Sequence, residues 1–257
     1  MFSAQTIPIK SDNALVLAHL EDIKAAPKFV KFIQSLNDEV LDIDHIRIDN
    51  AKWFCGPNSI SPEKLGFLYL EVVAKDKRTG KPVAGIVFLR GGAVAIHLEL
   101  ECNGQVYVAV TRQMRLPTGD DREEIPAGMV DASDNVAGVA VKEVEEETGV
   151  KIGKAKDLVS LGTFYPSQGG CDEQLHLYYK RVHISQEQMD LVLEKTHGED
   201  PTESIKVKLI PLNEYEDYLD TMEDSKAEVA WRRVQSYHRK KHINEAQATW
   251  SAYCSIQ

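Results

Sequence analysis

The chain has 257 residues, 43% hydrophobic and 27% charged, with a formal net charge of −10. That composition suits a globular protein with room for one large domain or a small one joined to a medium one. The acidic balance argues against a nucleic-acid surface, which needs a basic footprint, and no run reaches the ~18 consecutive apolar residues of a membrane span.

Met1 to Lys10 lack the charged-then-apolar layout of a secretory signal. Cys55, Cys102, Cys171 and Cys254 are scattered without CxxC pairing, so neither a zinc site nor a disulfide framework is expected. The chain reads as a reduced intracellular protein, with the cytoplasm as the expected compartment.

Residues 12–38 carry Leu15, Leu20, Ile23, Phe29, Ile33 and Leu36 at helical spacing, and Pro27 is expected to split them into two short helices. Strand-like runs follow at 45–55, 66–74 and 82–90, with Lys77-Arg78-Thr79-Gly80 as the turn between the last two. These make a small α+β segment at 1–88, packed against a second part at 89–257. There, 93–101 and 106–112 form a hairpin around Asn103-Gly104, a strong short turn signal. A strand enters Ile125-Pro126-Ala127-Gly128, and a helix follows, capped by Ser133 or Asp134 and ended by Gly149. Strands at 157–165, 174–183 and 205–210 and helices at 185–196, 213–222 and 225–243 complete an α/β (α+β) fold, a mixed sheet sandwiched between helices.

The chemistry concentrates between Glu124 and Val150. Glu143, Glu145, Glu146 and Glu147 crowd the end of the helix. Carboxylates there oppose the macrodipole by ~0.3–1 kcal/mol each, and like charges one turn apart add a few tenths. Glu143, Glu146 and Glu147 share one edge, beside an apolar face of Val136, Ala137, Ala140, Val141 and Val144. A bound cation would reverse the repulsion. Spacing alone leaves a solvated acidic face as the alternative.

The run resembles the Nudix hydrolase box, G-x5-E-x7-R-E-U-x-E-E-x-G-U with U aliphatic. Gly128, Glu143, Val144, Glu146, Glu147, Gly149 and Val150 match in register, while Asp134 stands for the first Glu and Lys142 for the Arg. Flanking segments resemble the ADP-sugar pyrophosphatase group, with a closer likeness to its plant enzymes for ADP-glucose and ADP-ribose: Gln113-Met114-Arg115, Glu124-Ile-Pro-Ala-Gly128, Pro166 at 16 positions after Val150, and Gly169-Gly170 with Glu173. The resemblance implies a Mg²⁺-dependent hydrolase (Mn²⁺ as substitute) that splits ADP-ribose or ADP-glucose into AMP and the sugar phosphate. It implies metal ligation by Glu143, Glu146, Glu147 and the Ala127 carbonyl, with Glu146 bridging or positioning water. The general base would come from Glu203 in the acidic loop Glu199–Glu203, with Glu199 or Glu146 as alternatives. Arg115 would clamp a phosphate, with a surface ion pair as the alternative; Glu124 would stand behind the metals or merely pair on a strand. Gly169 and Gly170 would let the backbone approach the terminal sugar, with a plain turn as the alternative, and Glu173 would bind substrate. A homodimer is implied too, with 1–88 exchanged between subunits and shaping the base pocket and 89–257 as the hydrolase domain.

Two other functions remain open on the sequence: a UDP-sugar diphosphatase on the same scaffold, and a nucleotide-binding protein without turnover, motivated by Asp134 and Lys142. His97, His176 and His197 are read as core or surface histidines, and Trp53, Phe54 and Trp231 as core aromatics. Cys254-Ser-Ile-Gln257 has the form of a prenylation box. It is read as an incidental cysteine, with peripheral anchoring through Cys254 as the alternative.

Overall fold

The computed structural model describes residues 6–130, 135–198 and 204–254, apart from the side chains of Pro57 and 244–254. It contains two compact units.

The first unit runs to Gly92 and includes Tyr165–Gln174. Its strands β1 (Ile9–Lys10), β2 (Leu41–Trp53), β3 (Leu65–Asp76), β4 (Pro82–Val83) and β5 (Ile86–Leu89) form one sheet, and helices α1 (Ala14–Ala18), α2 (Leu20–Ala25) and α3 (Pro27–Ser35) supply the rest of its core. Three helices replace the expected two. Asn13 caps α1 through its side chain, the chain re-enters a helix at Leu20, and Pro27 begins α3, where its missing N–H costs nothing. The strand expected at 82–90 breaks at Gly85, whose carbonyl accepts the Val72 N–H at 2.8 Å. A Cβ there would lie 1.9 Å from Val72 O, so only glycine fits. Phe29, Ile33, Ile48, Leu68 and Leu70 are buried, while Phe54, Tyr69, Ile86 and Phe88 are exposed. The ring centroids of Phe54, Phe67 and Phe88 follow one another at 5.1 and 5.3 Å.

Among the described residues, the second unit is a seven-stranded mixed sheet with two helices packed on each face. Strands β10 (Val159–Phe164), β11 (Leu175–His183), β6 (Ala93–Cys102), β7 (Gln105–Arg115) and β12 (Lys206–Pro211) lie in that order, with β11 and β6 parallel. The β6–β7 turn uses Asn103 at φ 51° and Gly104 at φ 77°, the left-handed pair that an Asn-Gly hairpin favours. Strand β6 alternates. Val94, Ile96, Leu98 and Leu100 face the core shared with α4 (Val136–Thr148) and α5 (Gln186–Glu194), while Ala93 and Ala95 face the one shared with α6 (Tyr215–Met222) and α7 (Ser225–Cys254). Among the described residues, no helix is long and apolar enough to cross a membrane.

Strands β6 and β7 pair only from Glu99 to Cys102 and then part. The gap is filled by one segment that changes partner: β8 (Asp120–Glu124) pairs with β7, and β9 (Ala127–Met129) with β6. The change falls at Ile125-Pro126, where proline offers no N–H to either ladder and the Ile125 N–H goes to Asp224 Oδ2 at 3.1 Å. This crossover places Ala127 and Gly128 beside α4.

Candidate active site

Helix α4 begins at Asn135, whose Oδ1 accepts the Gly138 N–H at 3.0 Å. This corrects the expected cap, since Ser133 and Asp134 lie outside the described residues; any Asx side chain can serve, and the helix starts one residue later. It ends at Gly149 in the left-handed region, φ 71°. Ala140 and Val144 are fully buried against the sheet, the valine side chain contributing about 1.5–3 kcal/mol of burial. That packing fixes the rotation of the helix and so the direction of its acidic edge.

Three glutamates of that edge are held separately. Glu143 lies over Gly128: a Cβ at Gly128 would stand 1.9 Å from Glu143 Cδ and 2.1 and 2.3 Å from its oxygens. Glu147 is buried, and its Oε2 accepts the Ala127 N–H at 3.1 Å. Glu146 pairs with Lys142 at 3.0 Å, and its carbonyl accepts the Gly198 N–H at 3.1 Å. His197 and Ile205 exchange backbone hydrogen bonds at 2.8 and 3.0 Å, tying together the two ends of the segment that contains Glu203. Glu199, Asp200 and Glu203 themselves lie outside the described residues.

Burial is the main cause that pushes the Glu147 carboxyl up to about 8; the nearby Glu143 and Glu124 charges add to it, and the Ala127 N–H and Arg115 only partly offset it. A carboxylate of this kind is short of positive charge.

Behind Glu147 stands a group of paired charges. Arg115 Nε and Nη2 donate to Glu124 Oε1 and Oε2 at 2.6 and 3.1 Å. Lys226 Nζ donates to Glu124 Oε2 at 2.9 Å and to Asp224 Oδ1 at 2.8 Å. Burial alone would raise Glu124, but Arg115 and Lys226 outweigh it and hold the carboxyl below its ordinary range. Arg115, expected as a phosphate clamp, is thus already engaged. Asp224 and Lys226 went unread in the sequence; their one local signal is an Asp preceding a helix, the usual mark of a cap.

Gly169, Gly170 and Glu173 belong to the first unit. The loop is pinned there by Asp172, whose Oδ1 accepts the Arg90 and Gly91 N–H groups at 2.7 and 3.1 Å, and by the Gly170 carbonyl, which accepts the Phe88 N–H at 2.8 Å. Glu173 pairs with Arg90 at 3.2 Å. A Cβ added to Gly169 or Gly170 would meet nothing within 4 Å, so packing does not demand glycine at either.

The NUDIX domain family matches residues 90–232. The chain belongs to this family. A relative from Arabidopsis thaliana, Nudix hydrolase 14, chloroplastic, is 41% identical over 59% of this chain and 52% of its own length. Putative nudix hydrolase 2 of Caenorhabditis elegans is 29% identical over 52% of this chain and 54% of its own. The ADP-ribose pyrophosphatase of Bacillus subtilis is 32% identical over 43% and 56%. The chain therefore spans about half the length of these relatives. A solved structure described as an ADP compounds hydrolase shares the fold at TM-score 0.52 and 13% identity, over 78% of this chain and 97% of that one.

The family implies a divalent cation. Among the described residues no three His, Cys, Asp or Glu side chains already stand together as a ligand set. The donors nonetheless suit such an ion: Glu143, Glu146 and Glu147 offer carboxylate oxygens, the choice of a hard cation, and Glu147 lacks the positive charge a metal would bring.

Proposed function

We propose that the chain hydrolyses the pyrophosphate bond of ADP-sugars, ADP-ribose or ADP-glucose, to AMP and the sugar phosphate, with Mg²⁺ as the cofactor and Mn²⁺ as its substitute. The observation that carries this reading is the arrangement of Glu143 over Gly128 and of buried, charge-starved Glu147 on the Ala127 N–H. The names of the relatives from Bacillus subtilis and Arabidopsis thaliana support the ADP-sugar class and the hydrolytic reaction.

Glu143, Glu146 and Glu147, with the Ala127 carbonyl, hold the metal. When bound, the ion neutralises pyrophosphate charge and makes water a better nucleophile. Arg115, held on Glu124 by two hydrogen bonds before substrate binds, turns to meet a phosphate oxygen through its planar fork. Glu203 takes the proton from the attacking water, with Glu146 next in line. Gly169 and Gly170 leave room for the terminal sugar, and Glu173, held by Arg90, presents a carboxylate to its hydroxyls.

The exposed Phe54 and Phe88, joined through the half-buried Phe67 and standing beside Tyr69 and Ile86, are the surface that supports a homodimer through the first unit. Among the described residues, the free cysteines Cys55, Cys102 and Cys171 support a reducing, intracellular setting.

The test is incubation with Mg²⁺ and ADP-ribose, ADP-glucose or UDP-glucose, followed by separation of the nucleotide products. AMP that disappears in Glu147→Gln is the expected result. UMP as the main product moves the specificity to UDP-sugars, and tight binding without turnover overturns the enzymatic reading.

A further inference from the structure

The charge group behind Glu147 holds one cation more than Glu124 needs. Arg115 alone satisfies that carboxylate with two hydrogen bonds. Lys226, 102 positions away in sequence, nevertheless donates to the same Oε2 at 2.9 Å. The members differ in access. The side chains of Glu124, Lys226 and Asp224 are 13%, 18% and 4% exposed, whereas Arg115 is 40% exposed. Arg115 is also the last residue of β7, followed by a turn. It is the member able to leave. Were it to leave without Lys226 present, Glu124 would remain a buried, unpaired carboxylate, one of the costliest states in a protein interior.

We propose that Lys226, anchored by Asp224, is a positioning residue for phosphate binding: it keeps Glu124 paired while Arg115 turns from Glu124 to a phosphate oxygen of the substrate. The inference rests on the reading of this site as a nucleotide-sugar diphosphatase. Asp224 suits the anchoring role because both its oxygens are fixed, Oδ2 by the Ile125 N–H at 3.1 Å and Oδ1 by the Lys226 N–H at 3.0 Å. The ammonium therefore stays in place when the guanidinium moves.

The experiment is a double-mutant cycle with Lys226→Met, Glu124→Gln and the pair, scored by KM and kcat for ADP-ribose with Mg²⁺ and by calorimetric binding of AMP. Lys226→Met is expected to raise KM and the AMP Kd about tenfold while kcat falls less, and Lys226→Arg to restore both. In the Glu124→Gln background, where no charge is left behind, adding Lys226→Met is expected to change KM and Kd less than about twofold. That comparison also serves if Lys226→Met alone does not fold, because in the pair position 124 carries no charge and Asp224 keeps its two backbone N–H donors, from Ile125 and residue 226. Unchanged KM and Kd in Lys226→Met, or an equal loss in both backgrounds, would overturn the proposal; the second result marks Lys226 as a mere partner of Asp224. Absence of turnover in the wild type sinks the functional reading instead, and AMP binding still decides the role of Lys226.

Discussion

Glu143 lies so close over Gly128 that a methyl group on the glycine would fall 1.9 Å from its Cδ. The clash would be with the far end of a flexible side chain, not with backbone. Gly128→Ala can therefore be absorbed by swinging the Glu143 carboxyl away, at little cost to the fold. The expected outcome is a Mg²⁺ affinity about 10–100-fold weaker, the scale on which misoriented ligands act, with a melting temperature shifted by no more than about 2 °C. Magnesium titration beside a thermal melt checks it; strong destabilisation with intact affinity would show that the glycine serves packing instead.

Metal binding should release a proton. In the metal-free protein Glu147 titrates at about 8, against 4.5 for an ordinary glutamate. Because the folded value is raised, the folded state holds a proton that the unfolded state has lost between those pH values. Stability of the metal-free protein therefore falls as pH climbs from about 4.5 to about 8 and levels off above it. A cation must displace that proton, so apparent Mg²⁺ affinity should weaken by up to about tenfold for each pH unit below 8. Calorimetry in two buffers of different ionisation enthalpy measures the release directly, and Glu147→Gln should abolish it.

Glu203→Gln should lower kcat by about 10²–10⁴-fold with a small change in KM, the size and form expected for loss of a general base. Steady-state kinetics at saturating Mg²⁺ provide the check. Near-normal turnover would move the role to Glu199 or to Glu146, whose carbonyl is already tied to the same segment through Gly198.

A stability prediction concerns the opposite face of the sheet. Glu99 is buried and receives Tyr179 Oη at 3.0 Å and Arg181 Nε at 2.6 Å, with His97 Nε2 standing 3.3 Å away without hydrogen-bond geometry. Burial alone would raise its carboxyl, but His97 and Arg181 outweigh burial and hold it below the usual 4.5. Its contribution is therefore complete above pH 4.5 and fades as the pH drops through the lower folded value. Glu99→Gln should cost about 3 kcal/mol at pH 7, with the gap to wild type narrowing in acid. Urea melts at pH 7 and at pH 3.5 test both parts, and a gap that does not change with pH would refute the assignment.

Features written in neighbouring residues were legible before any coordinates. Asn103-Gly104 forms the hairpin because its two residues supply the left-handed backbone such a turn needs, and Gly149 ends α4 for the same reason. The acidic edge of α4 followed from the 100° step between residues. The less legible parts depend on distance. Glu124 and Lys226 carry no shared periodicity, and only the packing of α7 beneath the β8–β9 crossover brings them within 2.9 Å. The loop Tyr165–Gln174 read as a connection within the second part of the chain. Its Asp172 is bound instead to the backbone of Arg90 and Gly91, which places it in the first unit. Pairings of this kind are settled by tertiary hydrogen bonds and leave no local sequence pattern.

The parallel pairing of β6 with β11 sets the pace at which this molecule can form. Residues 82 positions apart, such as Glu99 and Arg181, must meet before that ladder exists, and α4 lies inside the loop that their meeting closes. Until then its apolar face has only part of the surface it will cover. Refolding should accordingly be slow for a protein of this size, limited by a long-range encounter, and a nascent chain would expose the β6 edge until β11 has been synthesised.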